Sequence, residues 1–478
     1  MRIEDILKLD DTDKMLSILC VDTRPDREPI AYLEEYRGKR ERRVESIGYR
    51  LPKVVDIYSD TETNDDGSAK KIGKKFVPQA KITTNTPRKI VSVANAFLFG
   101  GDMHISFSEQ GDVSEYFRQV FEWDLKMKSV FSNFAEVVMS ETKSAIIFFP
   151  VTNPADKTIR IRSKILSNKN NEFYPHFDEY GDMDAFVRKY KAMHTDGEER
   201  EFVWIQTAQA EHKYVKIDGT WQHLGQKPNL ARKITVVYAE QDEPEWESIV
   251  SSLDKLEMRL SRLVDTNDYF SEPILKSFGE TRAPTKDTVG KTLEYDIEVC
   301  PESGKKYHGD AQYLVWEQSV DAIRLELDAL RGEIHGGTST PDLSFENLKS
   351  LGNISGVGMK LMFLDAFIKA GEKMRIFTPA VQRSVAIVKA LIGNVAQTKY
   401  RRELEKNRIQ VSFRSVLPDD LKEFFDILTK ANGDKPINSQ ETITALSPFT
   451  ANAEVELERL NKEQEKESGI SLTGTVIQ

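Results

Sequence analysis

Asp342, Glu346 and Lys349 are the residues whose types come nearest to a catalytic set. In a metal-dependent nuclease, carboxylates hold divalent cations that stabilise the attacking and leaving oxygens of the phosphate. Glu346 and Lys349 are three positions apart, however, whereas the nuclease motif needs two, and the sequence shows no second carboxylate cluster. A metal-dependent DNA-processing enzyme is therefore kept only as an alternative interpretation.

Other catalytic and cofactor motifs are not present in the sequence. The seven histidines are scattered, with no HxxxH or HExxH spacing. Gly352, Gly356 and Gly358 lack the GxxxxGK[ST] order of a phosphate-binding loop, and there is no GxSxG. Cys20 and Cys300 form no CxxC pair, so neither a disulfide framework nor a zinc site is indicated. The sequence predicts no catalytic residue, no metal and no cofactor, which favours a structural or binding role.

The composition limits how tightly such a protein could bind nucleic acid. Acidic residues number 77 against 67 basic ones, for a formal charge of −10. Tight binding to phosphates usually requires a basic protein, because affinity comes from neutralising phosphates and releasing counterions. If DNA is a partner, we expect it to touch this protein loosely.

Length and hydropathy indicate a globular protein of several units. At roughly 100–200 residues per domain, a chain of 478 residues is expected to contain about two to four domains. The most apolar short run, Ala145–Val151, contains Pro150 and is far shorter than the roughly 20 residues of a membrane-spanning helix. The acidic start at Glu4 and Asp5 does not resemble a secretory signal. We expect no membrane crossing and a cytosolic location.

The N-terminal half shows an α+β pattern. Residues 1–50 read as helical, with a basic cluster that we interpret as a solvated helix face rather than a phosphate contact: Arg37, Lys39, Arg40, Arg42 and Arg43. Residues 60–75 are predicted to be an exposed loop, 89–99 a helix that ends at Gly100, and 104–107 a strand. Five alternating segments predict an antiparallel sheet: residues 144–149, 158–165, 201–206, 212–217 and 233–238. Asp218-Gly219 is the sharpest hairpin signal.

The C-terminal half is dominated by helical periodicity. Two series of apolar residues step by three and four, as along a packing seam: Ile249, Leu253, Leu256, Leu260, Leu263, and Val320, Ile323, Leu327, Leu330, Ile334. A small β insertion, with strand-like runs at 291–299 and 311–316, separates these helices. A polar segment then leads into a long helix, 357–393, with a kink expected at Pro379. A strand at 409–413 and closing helices at 418–429 and 439–466 follow, with residues 439–442 as a cap.

Several short motifs occur in a fixed order along the chain. STPDL at 339–343 precedes NISGVGMKL at 353–361, which leads into a helix with Lys369, Glu372 and Lys373. YRG at 36–38 precedes the helix that ends in glycine, and LSPF at 446–449 precedes a charged end. Together these motifs resemble the portal proteins, or head-to-tail connectors, of long-tailed double-stranded DNA bacteriophages. Gly358 stands where that family usually has alanine.

The resemblance implies an α+β multidomain portal fold. Its parts are an α+β wing, a two-helix stem, a small β-containing clip, a tunnel loop, a long kinked spine helix and a short helical C-terminal crown. The expected boundaries are as follows: wing 1–243 with a late strand 407–414, stem helices 244–268 and 318–335, clip 269–317, tunnel loop 336–356, spine 357–394, wing return 395–435 and crown 436–478.

The resemblance also implies a function and partners. The chain would form a homo-oligomeric ring, expected to be a dodecamer, at one capsid vertex of the virion after assembly in the host cytoplasm. Double-stranded DNA would pass through the ring in packaging and ejection. The terminase large subunit would dock first, and the head-completion or tail adaptor protein would dock after it. The major capsid and scaffolding proteins would be further partners of the ring. No catalysis and no membrane are implied, and another symmetric phage scaffold or adaptor is a further alternative.

Three groups of residues would then contact the partners. The tunnel loop offers Glu346, Asn347, Lys349, Ser350 and Asn353 to the DNA. The stem could face the channel with Arg324, Glu326, Asp328, Arg331 and Glu333, although ion pairs between subunits are an equally weighted alternative. The clip could dock its partners through Lys286, Asp287, Lys305 and Lys306.

Overall fold

A computed structural model gives the fold of most of the chain. It describes residues 3–21, 29–40, 53–65, 68–77, 79–155, 157–195, 197–271, 274–278, 281–282, 294–295, 298–299, 306–307, 310–314, 320–342, 358, 361–414, 439–446, 450 and 453–470. Contacts divide the chain into two compact units. One comprises Met1–Ser350 with Phe363–Val416, and the other comprises Leu351–Met362 with Leu417–Gln478.

The first unit mixes helices and sheets, which confirms the α+β class. Its helices are α1 (Ile3–Ile6), α2 (Thr12–Leu19), α3 (Pro29–Tyr36), α4 (Thr86–Phe99), α5 (Asp112–Arg118), α6 (Met127–Glu141), α7 (Val250–Ser271), α8 (Val320–Gly337), α9 (Leu364–Leu391) and α10 (Arg401–Lys406). Its strands from the first 240 residues are β1 (Lys53–Thr63), β2 (Ala69–Val77), β3 (Met103–Phe107), β4 (Lys143–Thr152), β5 (Ile159–Ser167), β6 (Asn171–Phe177), β7 (Met183–Met193), β8 (Glu199–Thr207), β9 (Ala210–Ile217), β10 (Thr220–Pro228) and β11 (Val236–Glu240).

Residues 53–77 correct one sequence prediction. Where residues 60–75 were expected to form an exposed loop, β1 and β2 pair antiparallel as a two-stranded ribbon. The loop prediction was wrong because the four lysines of β2 hide its strand pattern, and because cross-strand pairs such as Val54 with Phe76 stabilise the ribbon. The N-terminal prediction was too coarse, since the described part of residues 1–50 holds three separate helices.

Two sheets and a helical layer build the rest of this unit. One sheet has the order β11-β4-β5 and the other β10-β9-β8-β7-β6. Phe186 packs into a core shared with β4, β5 and β11, while its neighbours Ala185 and Val187 pack against α1 and α2. This alternation is the period of two that a strand imposes. The predicted strands at 144–149, 201–206 and 212–217 are confirmed, and those at 158–165 and 233–238 correspond to β5 and β11 with shifted bounds. The prediction of one antiparallel sheet was wrong, because β4, β5 and β11 belong to one sheet and β8 and β9 to the other.

The predicted hairpin between β9 and β10 is confirmed by the backbone angles of its turn. Asp218 and Gly219 have φ values of 50° and 84°, the left-handed pair that a two-residue hairpin turn requires. Helix α4 also ends as predicted, with the amide of Gly100 bonded to the carbonyl of Ala96 at 2.9 Å. The strand at 409–413 is present as β18 (Ile409–Phe413), and it pairs with β3 across some 300 positions of sequence.

The two seam helices pack on each other inside one chain. Leu253 and Leu256 on α7 belong to the main apolar core, and Leu327 and Leu330 on α8 pack against that core. The middle of each apolar stripe therefore has partners within one chain, whereas Val320 at the start of the second stripe is 66% exposed.

Short strands lie between α7 and α8. They are β12 (Ile274–Phe278), β13 (Thr281–Arg282), β14 (Glu294–Tyr295), β15 (Glu298–Val299), β16 (Lys306–Tyr307) and β17 (Asp310–Leu314). The strand-like run at 311–316 corresponds to β17, which pairs with β12. The run at 291–299 is divided between β14, which pairs with β13, and β15, which pairs with β16.

Helix α9 crosses the core of the first unit. Phe377, Val381, Val388 and Leu391 are buried, and Pro379 lies inside the helix. Among the described helices, the stretch Leu364–Ala396 is the one long and apolar enough to span a bilayer, yet 56% of its most apolar window is buried inside the protein. That burial is typical of a core helix. The kink at Pro379 stays a prediction.

The second unit, as far as it is described, contains two helices, α11 (Gln440–Leu446) and α12 (Ala453–Ile470). Ser439 caps α11 as predicted, since its hydroxyl accepts a hydrogen bond from the amide of Thr442 at 3.2 Å. The closing helix expected at 418–429 lies outside the described residues.

Candidate functional site at the stem and its base

Helices α7 and α8, the pair that the portal resemblance predicts to be the stem, are called the stem helices here. An extended segment is fastened along α7. Alternate amides of residues 80–84 donate hydrogen bonds to Asp265, Ser261 and Glu257 at 2.8, 2.9 and 2.8 Å. Two extended residues span about 6.7 Å and four helical residues about 6 Å, so the two spacings match. The segment that follows the β1–β2 ribbon is therefore held in register on the stem.

Arg40 is the buried centre of a charged cluster at the same helix. Its guanidinium reaches Glu35 at 3.0 Å, Glu257 at 3.1 Å, and Asp254. Trp246 donates from its indole nitrogen to Glu35 at 2.8 Å. Arg40 is fully buried, so the interpretation of the basic cluster as a solvated face is wrong for this residue.

The remaining members of that basic cluster behave differently. Arg37 and Lys39 are exposed, which confirms that they are solvated, but they follow the end of α3 at Tyr36 and do not lie on a helix face. Arg42 and Arg43 lie outside the described residues. Sequence reasoning missed Arg40 because its three carboxylate partners include two from α7, more than 200 positions away.

The YRG motif is explained by its contacts. Tyr36 stacks on Trp246 with ring centroids 6.2 Å apart and donates to Glu136 at 2.7 Å. Burial and the neighbouring Glu136 carboxylate raise the pKa of Tyr36 well above its usual value. Gly38 has a φ of 76°, and a Cβ there would lie 2.4 Å from the side-chain oxygen of Asn85. The left-handed backbone favours glycine here, and a larger residue would also have to displace the Asn85 side chain.

The predicted channel residues of the stem do not share one environment. Arg324, Asp328 and Arg331 are exposed and form a line along α8, with N–O distances of 3.8 and 3.5 Å to the central carboxylate. Glu326 instead forms an ion pair with Arg259 of α7 at 2.8 Å. Its charge is thus matched within the chain.

Glu333 is exposed on α8. The other predicted contact residues are mostly outside the described chain. These are the tunnel-loop residues Glu346, Asn347, Lys349, Ser350 and Asn353, and the clip residues Lys286, Asp287 and Lys305. Lys306 lies in β16, opposite Val299. Their roles remain predictions.

Glu245, Lys369 and Lys373 form a buried node where the stem meets α9. The ammonium of Lys369 lies 3.0 Å from Glu245 and donates to the Thr338 carbonyl at 2.9 Å. Lys373 forms an ion pair with the other oxygen of Glu245 and reaches Gln241 at 3.1 Å. The node joins the segment before α7, the segment after α8 and the long helix α9.

The titration of the node follows from burial and charge. Burial would raise the pKa of Glu245, but the two lysines outweigh it and hold the pKa below its usual value. Burial lowers the pKa of Lys369, although Glu245 opposes that shift. A cleft of about 700 Å³ opens beside the node and is rimmed by acidic residues, among them Glu243 and Glu372.

The turn after α8 has a defined geometry. Ser339 adopts a left-handed conformation with a φ of 49°, and the Thr338 hydroxyl donates to the Ile334 carbonyl at 2.7 Å. A Cβ on Gly337 would lie 2.8 Å from the side chain of Ile249. The STPDL motif therefore begins in a turn that closes α8 against the start of the stem.

Asp342, the described member of the suggested nuclease set, lies beside a lysine and a histidine. Its carboxylate is 3.8 Å from both Lys89 and His335. Within the described part of the chain, no three His, Cys, Asp or Glu side chains are grouped so that they could hold a metal ion. The nuclease interpretation gains no support from these residues.

Comparison with known proteins settles the family. A family model described as phage portal protein, SPP1 Gp6-like, matches residues 34–469. The chain belongs to this phage portal family. The resemblance that the motifs indicated is thereby confirmed, and the matched range of the portal family includes the Arg40 cluster, both stem helices and the lysine node.

Solved structures similar to this portal-family chain include two necks of GTA particles. One is the neck of an empty particle computed with C6 symmetry, with 10% identity, a TM-score of 0.39, and coverage of 75% of this chain and 88% of that chain. Another is the neck of a native particle computed with C12 symmetry, with 10% identity, a TM-score of 0.40, and coverage of 76% and 89%. No curated protein matches the sequence.

Proposed function

We propose that this chain forms a portal ring at one vertex of a phage capsid and conducts double-stranded DNA during packaging and ejection. The observation that carries the proposal is the portal-family match over residues 34–469. The role is structural, without catalysis. The ring is expected to hold twelve copies, to assemble in the host cytoplasm and to become part of the virion.

The charge of the chain supports passage without capture. A formal charge of −10 disfavours tight binding of phosphate, and each fixed phosphate contact would be a barrier to sliding. On α8, Asp328 lies between Arg324 and Arg331, so charges of both signs alternate along the helix. Such a surface neither holds nor strongly repels a moving duplex.

The clip is proposed as the docking site for the terminase large subunit and then for the head-completion or adaptor protein. It is inserted between the two stem helices, and its short strands pair locally, β12 with β17 and β15 with β16. The sequence of the clip can therefore vary without a change in the stem helices. Docking residues in the clip would not disturb the ring.

Imaging of the purified protein tests this function. Electron-microscopic class averages should show closed rings with a central hole wide enough for a DNA duplex, which is about 20 Å across. A matched sample of Leu327→Asp, expected to damage the stem, controls for rings formed by other contaminating proteins. A monomer or an open filament of wild-type protein, under conditions in which it is folded, would contradict the proposal.

A second measurement separates a portal from another symmetric scaffold. Phage that lack the chain and are complemented with it should yield DNA-filled capsids, whereas uncomplemented phage should yield empty ones. Filled capsids without complementation would show that DNA enters by another route.

A further inference from the structure

The β1–β2 ribbon exposes apolar side chains that nothing in the described chain covers. Phe76 is 69% exposed, Ile72 59% and Tyr58 55%. Within the described residues, β1 and β2 pair only with each other. An isolated two-stranded ribbon is marginally stable in water and needs a further strand or a packed face. The ribbon is therefore suited to packing against another surface.

Neither face of the ribbon is turned to the core. Val54, Phe76 and Tyr58 lie on one face, because Val54 pairs with Phe76 and residues two apart share a face. Val55 and Ile57 lie on the other face and are 40% and 39% exposed. A ribbon that is exposed on both faces projects from the unit as an arm.

The root of the arm is fixed. Residues 80–84, which follow β2, are bonded at every second amide to α7. The end of β2 at Val77 is therefore only three residues from a segment that is held on α7. With eleven residues in β1 at about 3.3 Å each, the arm is roughly 35 Å long.

The two halves of the arm carry opposite charge. The root half, residues 53–58 and 71–77, has a net charge of +3: four lysines at 53, 71, 74 and 75 against Asp56. The tip half, residues 59–70, has a net charge of −3: four acidic residues at 60, 62, 65 and 66 against Lys70. Internal ion pairs join Lys71 to Asp56 at 2.7 Å and Lys70 to Glu62 at 3.0 Å. Lys74 and Lys75 are exposed and form no ion pair with described residues.

We propose that the arm binds a second copy of this chain, its acidic tip against the basic root of the neighbour's arm. Tip and root are complementary in charge, and the exposed Phe76 and Val54 at the root provide the apolar surface that the contact buries. A contact between two different patches is head-to-tail, and head-to-tail contacts close into rings when the rotation permits. The proposal rests on the proposed ring and adds to it a belt of arms outside the stem.

A charge-swap experiment tests the arm. The root variant is Lys74→Glu with Lys75→Glu, the tip variant is Glu62→Lys with Asp65→Lys, and the combined variant carries all four changes. Each partial variant should lower the yield of closed rings by about tenfold, because like charges then face each other at every interface. The combined variant should restore the wild-type yield, because the opposite signs meet again.

Two controls make the result specific. Lys227→Glu reverses an exposed charge on β10, outside the arm, and should leave the yield unchanged. Circular dichroism and thermal melting should show that every variant remains folded. Phe76→Ser should also lower the yield of rings without changing the charge.

Distinct outcomes would overturn the proposal. If wild-type rings form and both partial variants form them equally well, the arm does not bind a neighbour, although the portal function stands. If both partial variants fail and the combination fails too, tip and root are not partners. If the rings of the root variant are unchanged but no longer retain a DNA duplex, the lysines bind nucleic acid rather than a neighbouring arm. If wild-type protein forms no ring, the proposed function itself fails.

Discussion

The Nε atom of Arg40 lies 3.1 Å from a carboxylate oxygen of Glu257, and neither side chain exposes any surface to solvent. Glu257 uses its other oxygen to accept hydrogen bonds from the amide and hydroxyl of Thr84. One carboxylate on the stem helix thus holds both the N-terminal segment and the segment after the ribbon. Glu257 is therefore the residue of α7 that contacts both segments, beside Asp254 on Arg40 and Ser261 and Asp265 on the segment after the ribbon.

Arg40→Met should strongly destabilise the fold. Removing one partner of a buried ion pair leaves uncompensated carboxylates, at a cost of about 3–5 kcal/mol. Chemical denaturation should show that loss in the free energy of unfolding. Arg37→Met, at an exposed neighbouring position, is the matched control and should change it by less than about 0.5 kcal/mol. Equal stability of the two variants would mean that the cluster does not hold the stem.

Glu245→Gln should reduce stability most at neutral pH. The lysines hold the pKa of Glu245 below its ordinary value of 4.5, so the folded protein binds fewer protons there than the unfolded chain. The stabilisation is therefore present above pH 4.5 and is lost as the pH falls through the folded-state pKa. The difference in unfolding free energy between wild type and variant should shrink below pH 4.5.

The control for this pH dependence is Glu179→Gln, at an exposed turn. Its unfolding free energy should follow that of the wild type at every pH. A difference for Glu245→Gln that stays constant from pH 7 to pH 3 would show that the carboxylate does not act through its charge.

Leu327→Asp should destabilise the chain itself rather than only the ring. Leu327 packs against the core between α7 and α8, and a charge placed there costs on the order of several kcal/mol if it is buried. Leu325→Asp is a closely matched control two positions away, because Leu325 is 72% exposed. Thermal melting should show a large drop for Leu327→Asp and almost none for Leu325→Asp, and similar melting curves would place the seam elsewhere.

The sequence was informative wherever structure follows from local pattern. The alternation at 201–206, the turn at Asp218-Gly219 and the apolar stripe from Val320 to Ile334 each depend on neighbours within one element, and each was predicted. Helix α6 carries an equally regular stripe, including Phe131, Phe134 and Val138, and could have been found from its period.

The charged sites could not be found in this way. Glu245 lies more than 120 positions from Lys369 and Lys373, and Arg40 lies 217 positions from Glu257. No local pattern marks such partners, since the fold alone brings them together. The motif with Lys369 and Lys373 was recognised through its resemblance to portal proteins, but its partner Glu245 was not.

Charge reversal across the clip should abolish docking without affecting the ring. The variant combines Lys286→Glu, Asp287→Lys, Lys305→Glu and Lys306→Glu, a net change of −4 in charge. A pull-down should show loss of the terminase large subunit, while electron microscopy should show intact rings. The control carries Lys191→Glu and Lys227→Glu, which give the same net change at exposed positions of β7 and β10. If the variant still binds the terminase, the docking site does not include these residues.

Lys349→Ala should alter DNA translocation and leave ring assembly unchanged. In a ring of twelve, Lys349 would be repeated around the channel, so that a phosphate leaving one lysine meets another. One exposed ionic contact contributes only about 0–1 kcal/mol and is screened by salt, so the effect comes from the symmetric set. Bulky substitutions at Asn347 or Ser350 should obstruct DNA more strongly, because they narrow the bore. The measurement is the length of DNA packaged per capsid, with Lys227→Glu at an exposed position of β10 as the control. Wild-type packaging in all three variants would show that this segment does not line the path of the DNA.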